Sequence, residues 1–107
     1  MPSGEEERAR HFLVNVLGMA EIPKAPELAK RGGCGFASGD VQIHLGVEDD
    51  FHPAKKAHPA LRCSNYSHLF TRFAENGVTV VEASDIPDVR RSHIYDPFGN
   101  RIELIAD

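Results

Sequence analysis

The sequence contains no tryptophan and only two cysteines among its 107 residues. Cys34 and Cys63 provide neither a disulfide framework nor the ligand spacing of a structural zinc site, so both are expected to be reduced and packed. The aromatic residues are six Phe and two Tyr, which disfavours a site built to stack large planar ligands.

Long apolar runs and an excess of basic residues are missing too. No apolar stretch approaches the roughly 18 residues of a membrane-spanning helix, and the polar start 2–7 does not resemble a signal peptide. A formal net charge of −4 without a basic run disfavours non-specific nucleic-acid binding. With 41% hydrophobic and 26% charged residues, the chain is typical of one globular domain. We therefore expect a cytoplasmic protein with neither nucleic-acid nor membrane partners.

The hydrophobic pattern predicts an α+β fold. Apolar residues at helical spacing indicate one helix over 5–17 and another over about 65–76. Runs with strand character cover residues 19–22, 34–38, 41–47, 58–63, 78–82, 91–95 and 101–105. The order is helix-β-β-β followed by β-helix-β-β-β, which predicts a single domain (1–107) of two similar modules, 5–47 and 58–107. The first module lacks its opening strand, and the sheet edge left unpaired favours dimerisation or aggregation.

The stretch from Tyr95 to Ile105 predicts a hairpin that carries a carboxylate. Pro97 presets a turn position, and the following Gly99 and Asn100 tolerate left-handed backbone. In the returning strand, Glu103 lies on the face opposite Ile102 and Leu104. Glu103 is therefore a candidate metal ligand.

The same alternation selects further polar side chains on the face opposite the apolar residues of their strands. These are His44 in 41–47, His58 in 58–63, and Arg91, His93 and Tyr95 in 91–95. Two imidazoles and a carboxylate are common ligands of a catalytic divalent ion that keeps open positions. Imidazole suits Zn, Fe, Ni and Co, and the carboxylate adds Mn and Mg. Alternatively, a single strand histidine is usually an ordinary surface or hydrogen-bonded residue.

Several stretches together resemble the vicinal oxygen chelate superfamily, which includes glyoxalase I, bleomycin-resistance proteins, fosfomycin-resistance enzymes and extradiol dioxygenases. The most specific are the Leu-Gly pair after the first helix and the Asp-Pro-Phe-Gly-Asn turn before a Glu-bearing strand. The matching stretches, which cover nearly the whole chain, are 12–19, 31–36, 41–48, 56–61 and 96–104.

The resemblance implies two βαβββ modules whose sheets form a shared bowl, with this chain lacking the first strand. It places metal ligands at His44, His58 and Glu103, with Glu103 also moving a proton in catalysis. The metal would be Zn, Ni, Mn or Fe. Homodimerisation is expected because family members commonly pair their modules.

Other residues are candidates for a substrate pocket: Arg91, His93, Tyr95 and, from the connecting loop, Phe51. For Arg91 the alternative is an ion pair with Asp85 or Asp88. The leading hypothesis is a metal-dependent lyase or isomerase, thiol transferase or dioxygenase acting on a small substrate with adjacent oxygens. The alternatives are a metal-free protein that binds an antibiotic or metabolite, and a degenerate structural subunit.

Overall fold

Two sheets organise the chain. The computed structural model describes residues 1–107, which divide into two units, Met1–His52 and Pro53–Asp107. Each unit combines one sheet with its own helices. This mixed α+β architecture confirms the fold class expected from the sequence.

The first unit begins with α1 (Glu6–Arg10), which continues as a π-helical segment, His11–Val16. In the wider turns, the Leu17 backbone N–H donates to the Phe12 carbonyl five residues earlier, at 3.0 Å. The predicted apolar stripe is confirmed, because Ala9, Phe12, Leu13 and Val16 are all buried. The helix predicted over 5–17 is present, but its turns from His11 to Val16 are π-helical and not α-helical.

Three antiparallel strands form the sheet of this unit, in the order β1-β2-β3. The remaining elements are β1 (Ala20–Ile22), α2 (Pro26–Ala29), β2 (Cys34–Ser38) and β3 (Val41–Leu45). No strand precedes the first helix, as expected. At the far end of β3, the N-terminal ammonium of Met1 donates to the Gly46 carbonyl at 2.7 Å, and the Glu48 N–H donates to the Met1 carbonyl at 3.0 Å. These two bonds have the pattern of a parallel strand pair.

The second unit contains a four-stranded mixed sheet and one longer helix. Its elements are β4 (Ala60–Cys63), α3 (Tyr66–Glu75), β5 (Val80–Ala83), β6 (Arg91–Tyr95) and β7 (Arg101–Ala106). The strand order is β4-β7-β6-β5, with β4 parallel to β7 and the other pairs antiparallel. The first and last strands of the unit, β4 and β7, are therefore neighbours, with β4 at the edge of the sheet and β7 inside it. This pairing brings together residues that are distant in sequence.

One face of this sheet is the core of the second unit. Ile94 lies opposite Ile102, and Ser92 lies opposite Leu104, all of them buried. Ser92 is a polar residue with 0% exposure, and its hydroxyl lies 2.6 Å from the hydroxyl of Tyr66 at the start of α3. This hydrogen bond accounts for a serine among apolar neighbours, since a buried hydroxyl needs a partner.

Both cysteines are free, as expected. Cys34 is buried and Cys63 half-buried, and burial raises the pKa of each thiol, which keeps both protonated and unreactive at neutral pH. None of the helices is long and apolar enough to cross a bilayer.

Candidate metal centre

The face of the second sheet opposite the core carries a cluster of polar side chains around Glu103. On β6, His93 pairs directly with Glu103, and Tyr95 pairs with Arg101. On β4, Ala60 is the residue paired with Glu103. The Glu103 N–H also donates to the Pro59 carbonyl at 2.9 Å, which extends the ladder toward His58. Two histidines thus flank the carboxylate, His93 from β6 and His58 from the segment that leads into β4.

The turn between β6 and β7 sets this register. One oxygen of the Asp96 carboxylate accepts the backbone N–H of Phe98 at 2.9 Å and that of Asn100 at 2.8 Å. The other oxygen accepts the Asn100 side-chain amide at 2.8 Å. Gly99 adopts φ +88°, a left-handed conformation that favours glycine. The Asp-Pro-Phe-Gly-Asn sequence therefore closes the hairpin that places Glu103 opposite His93.

The ligand atoms of these three side chains lie close enough together to coordinate one metal ion. The Glu103 Oε1 atom lies 3.1 Å from His58 Nε2 and 3.5 Å from His93 Nε2. One ligand atom from each residue can be chosen so that all three lie within 4.8 Å of one another. The side chains are largely shielded, with exposures of 23% for His58, 14% for Glu103 and 9% for His93. The two imidazoles meet edge to face, with ring centroids 5.2 Å apart.

His58 is held in the orientation of a metal-ligating histidine. Its Nδ1 atom lies 2.6 Å from the Lys56 carbonyl oxygen. Because a carbonyl only accepts hydrogen bonds, Nδ1 carries the proton. Nε2 of a neutral ring would then direct a lone pair at the Glu103 carboxylate, which is repulsive. Either a second proton or a cation between the two atoms relieves this repulsion. Donation of the other ring N–H to a backbone carbonyl is also the usual arrangement of metal-bound histidines.

Arg91 holds the second oxygen of Glu103. Its Nη1 atom lies 3.2 Å from Glu103 Oε2, and its Nη2 atom lies 2.6 Å from Asp85 Oδ1. The ion pair with Asp85 that the sequence left as an alternative is therefore present, together with a contact to the candidate ligand. The contact with His58, followed by the hydrogen bond from Arg91, lowers the pKa of Glu103 and keeps the carboxylate ionised.

The environment of His93 favours a neutral ring. His93 is buried, with 7% of the whole residue exposed. Arg101 Nη2 lies 3.2 Å from His93 Nε2 and 3.4 Å from His93 Nδ1. Burial, and next the positive charge of Arg101, lower the pKa of His93. A neutral imidazole is the form that binds metals.

Five of the sequence-predicted site residues belong to the second unit. His58, Glu103, Arg91, His93 and Tyr95 share one face of the second sheet, as the alternation predicted. His93 was expected to contact substrate, and its proximity to Glu103 as a third donor was missed. The signal was present in the sequence, because a symmetrical hairpin around the turn at 96–100 makes His93 the direct partner of Glu103.

His44 and Phe51 belong to the first unit. The His44 Nε2 atom lies 3.1 Å from the Gln42 side-chain oxygen. Its ring covers Gly35 on β2, where a Cβ atom would come within 2.9 Å of His44 Nδ1. Gly35 thus leaves the space that this imidazole fills. Phe51 is half-buried in the segment that follows β3. The roles of both residues in a site stay predictions.

Comparison with known families agrees with this fold. The model of the Glyoxalase/Bleomycin resistance protein/Dioxygenase superfamily matches residues 2–104. The chain belongs to this superfamily. The resemblance found in the sequence is thereby confirmed. No curated protein matches the chain.

Solved structures support the same assignment. A protein from Bacillus anthracis assigned to the glyoxalase family is 46% identical, with a TM-score of 0.94 over 100% of this chain and 88% of the other. TnmS3, an antibiotic-binding protein from Streptomyces sp. CB03234, is 25% identical, with a TM-score of 0.72 over 99% of this chain and 89% of the other. The fosfomycin resistance protein FosX from Listeria monocytogenes shares the fold, with 18% identity and a TM-score of 0.76 over 94% of this chain and 80% of the other.

Proposed function

We propose that this protein is a divalent-metal-dependent enzyme acting on a small substrate with two adjacent oxygen atoms. The observation that carries the proposal is the orientation of His58. Its Nδ1 proton is committed to the Lys56 carbonyl, and its Nε2 atom faces the ionised Glu103 carboxylate at 3.1 Å. A divalent cation held by these two residues would accept the Nε2 lone pair and offset the charge of the carboxylate.

The donor set suits such an ion. His58 and Glu103 would hold it, with His93 from the same sheet or His44, the ligand implied by the family resemblance, as a third ligand. Mixed nitrogen and oxygen donors are compatible with Zn, Ni, Mn or Fe. When bound, the ion would polarise the substrate oxygens and stabilise negative charge that develops on them.

The residues of the chain itself supply positioning and proton handling. Arg91 fixes one oxygen of Glu103, which leaves Oε1 directed at the two imidazoles. Because its pKa is lowered, Glu103 is present as the carboxylate, which is the form that binds a cation. The same carboxylate is the candidate acceptor of a proton from substrate. Isomerase or lyase, thiol-transfer and dioxygenase chemistry all use a centre of this kind, so an activity screen should cover the three classes.

The test is metal content after purification without chelators. Wild-type protein should carry close to one divalent ion per chain, either as purified or after reconstitution with Mn, Ni, Fe and Zn. The double variant His58→Ala, Glu103→Ala should carry none. A matched control is His68→Ala, which removes an exposed imidazole of α3 and should leave the metal content unchanged. Wild-type protein that stays metal-free after reconstitution contradicts the proposal.

A metal-free binding protein is the second candidate, favoured by the basic character of the same face. Arg62, Arg91 and Arg101 all lie on it. The similarity to antibiotic-binding TnmS3 points the same way. This candidate predicts that ligand affinity is indifferent to chelators, whereas the enzyme loses activity in their presence.

Two further expectations from the sequence stay predictions. The protein should form a homodimer, which sedimentation equilibrium measures directly. It should also lie in the cytoplasm, which cell fractionation with a specific antibody tests.

A further inference from the structure

The face that carries His58, His93 and Glu103 is basic in a protein that is acidic overall. Arg62 on β4, Arg91 on β6 and Arg101 on β7 lie on it, whereas Glu103 is its one carboxylate from a strand. Even with Asp85 from the preceding loop, three guanidinium groups face two carboxylates. The chain as a whole has a net charge of −4. Such a local excess of positive charge raises the concentration of anions at this face.

Arg91 and Arg101 both lie next to the cluster, but only Arg91 forms ion pairs with carboxylates of the protein. Arg91 bridges Asp85 and Glu103. Arg101 has no carboxylate within the 4.0 Å of a salt bridge, and its Nε–H is buried without a hydrogen-bond partner. Arg101 is thus a half-buried cation whose charge and donors are not matched by the chain.

The contact with His93 does not replace such a partner. Arg101 Nη2 is nearly equidistant from the two ring nitrogens, at 3.2 and 3.4 Å. One N–H cannot align with both of them, and a neutral imidazole offers a single acceptor lone pair. The Nε–H of Arg101 therefore lacks an acceptor, and its Nη2 group shares one imidazole ring between two nitrogens.

We infer that Arg101 binds an anionic oxygen group of the substrate, a carboxylate or a phosphonate or phosphate. The planar fork of arginine matches these groups through two parallel hydrogen bonds. Tyr95 is the direct cross-strand partner of Arg101, so its side chain starts from the same face and its hydroxyl is a second candidate donor. The inference rests on the proposed function, since it describes the substrate of that same site.

The position of Arg101 also limits the shape of this substrate. Arg101 and Glu103 are two residues apart on β7, with side chains on the same face. This spacing corresponds to roughly 7 Å along a strand. The guanidinium reaches back toward the cluster, since Arg101 Nη2 lies 3.2 Å from His93 Nε2, which lies 3.5 Å from Glu103 Oε1. The substrate is then a small acid whose anionic group lies close to the oxygens that react near Glu103.

A charge-matched titration tests this inference. Phenylphosphonate, benzoate and the neutral analogue benzamide are titrated into chelator-treated protein at low ionic strength, with binding followed by the NMR signals of the arginine side chains. We expect an anion to bind and to shift the Arg101 Nε–H signal, with benzamide binding at least roughly tenfold more weakly. The two anions distinguish a carboxylate site from a phosphonate site.

Three variants sharpen the test. Arg101→Gln should weaken anion binding roughly tenfold or more, and Arg101→Lys should fall between it and wild type, because the charge stays but the fork is lost. Arg62→Gln is the matched control, an exposed arginine of the same face about 13 Å along the sheet from Arg101. Thermal unfolding of each variant verifies that it is folded.

The outcomes separate this inference from the proposed function. Equal binding of anions and benzamide, or equal losses in Arg101→Gln and Arg62→Gln, overturns a specific role for Arg101. The titration is repeated after addition of one equivalent of zinc, and absence of anion binding in both forms overturns the inference as well. Metal content is measured independently, so anion binding without metal binding would contradict the proposed function alone.

Discussion

The His58 Nε2 and Glu103 Oε1 atoms lie 3.1 Å apart although 45 residues separate the two along the chain. The parallel pairing of β4 with β7 produces this proximity, because the residues just before β4 come level with the middle of β7. The backbone N–H of Glu103 bonds to the Pro59 carbonyl, immediately after His58. Strand pairing therefore positions the histidine and the carboxylate next to each other.

The identity of the third metal ligand is open to a direct comparison of two variants. His93→Gln should weaken zinc affinity at least roughly tenfold, because the imidazole lies beside Glu103 on the same face. His44→Gln tests the ligand implied by the family resemblance. Isothermal titration of metal-free protein gives both affinities. If only His44→Gln weakens binding, the role assigned to His93 is wrong.

The lowered pKa of His93 predicts a stability that rises with pH. In the unfolded chain this imidazole binds a proton as the pH falls below 6.5, the ordinary pKa of histidine. In the folded protein its pKa is lowered, so the ring stays neutral to lower pH. At this residue the unfolded state then holds more protons, so the contribution of His93 to the free energy of unfolding falls as the pH decreases from about 7 toward 5.5. Urea unfolding of metal-free protein over this range measures the slope.

Variants assign this slope to the residue. His93→Gln should flatten the pH dependence, and His68→Gln, which changes an exposed histidine of α3, should retain it. An unchanged slope in His93→Gln would contradict the account. The contribution of Glu103 appears only at lower pH, because its pKa is lowered from a value of 4.5.

The buried pair of Tyr66 and Ser92 predicts a non-additive effect on stability. Tyr66→Phe leaves the fully buried Ser92 hydroxyl without its partner and should cost about 1–3 kcal/mol of the free energy of unfolding. Adding Ser92→Ala to Tyr66→Phe should recover part of this loss, because both polar groups are then removed. Additive losses in a urea-unfolding cycle would show that the hydrogen bond is not the source of the effect.

The turn at Asp96 links stability to the metal site. Asp96→Ala removes the acceptor of two backbone N–H groups and of the Asn100 amide, which should destabilise the protein by about 1–3 kcal/mol. Zinc affinity should fall as well, because the turn keeps Glu103 opposite His93. Asp96→Asn preserves one acceptor oxygen and should be milder on both measures. A variant that loses stability but keeps full zinc affinity would separate the turn from the site.

Much of the fold could be predicted because the strands alternate cleanly. Ile94, Ile102 and Leu104 are buried, and this parity alone placed Arg91, His93 and Glu103 on the opposite face. The π-helical turns after Arg10 could not be predicted, since an apolar stripe at i, i+3 and i+4 fits an α-helix equally well. The predicted strand at 58–63 began two residues late in the structure, because Pro59 has no N–H for the ladder.

The sequence predicted which residues form the candidate site better than it predicted the contacts between them. Alternation gives the face on which a side chain lies but not which strands are neighbours. The pairing order β4-β7-β6-β5 decides that His58 and His93 flank Glu103. Two arginines also contact the cluster: Arg91 contacts Glu103, and Arg101 contacts His93. These contacts depend on the conformations of long side chains, which sequence spacing does not predict.

The most direct test of the metal site is the nitrogen NMR signals of the histidine rings during a zinc titration of metal-free protein. The account predicts that His58 Nε2 shifts as a ligand, that Nδ1 keeps its proton, and that the change saturates at one zinc per chain. Ring signals of His58 that do not change with excess zinc would contradict the central claim that His58 and Glu103 hold a divalent ion.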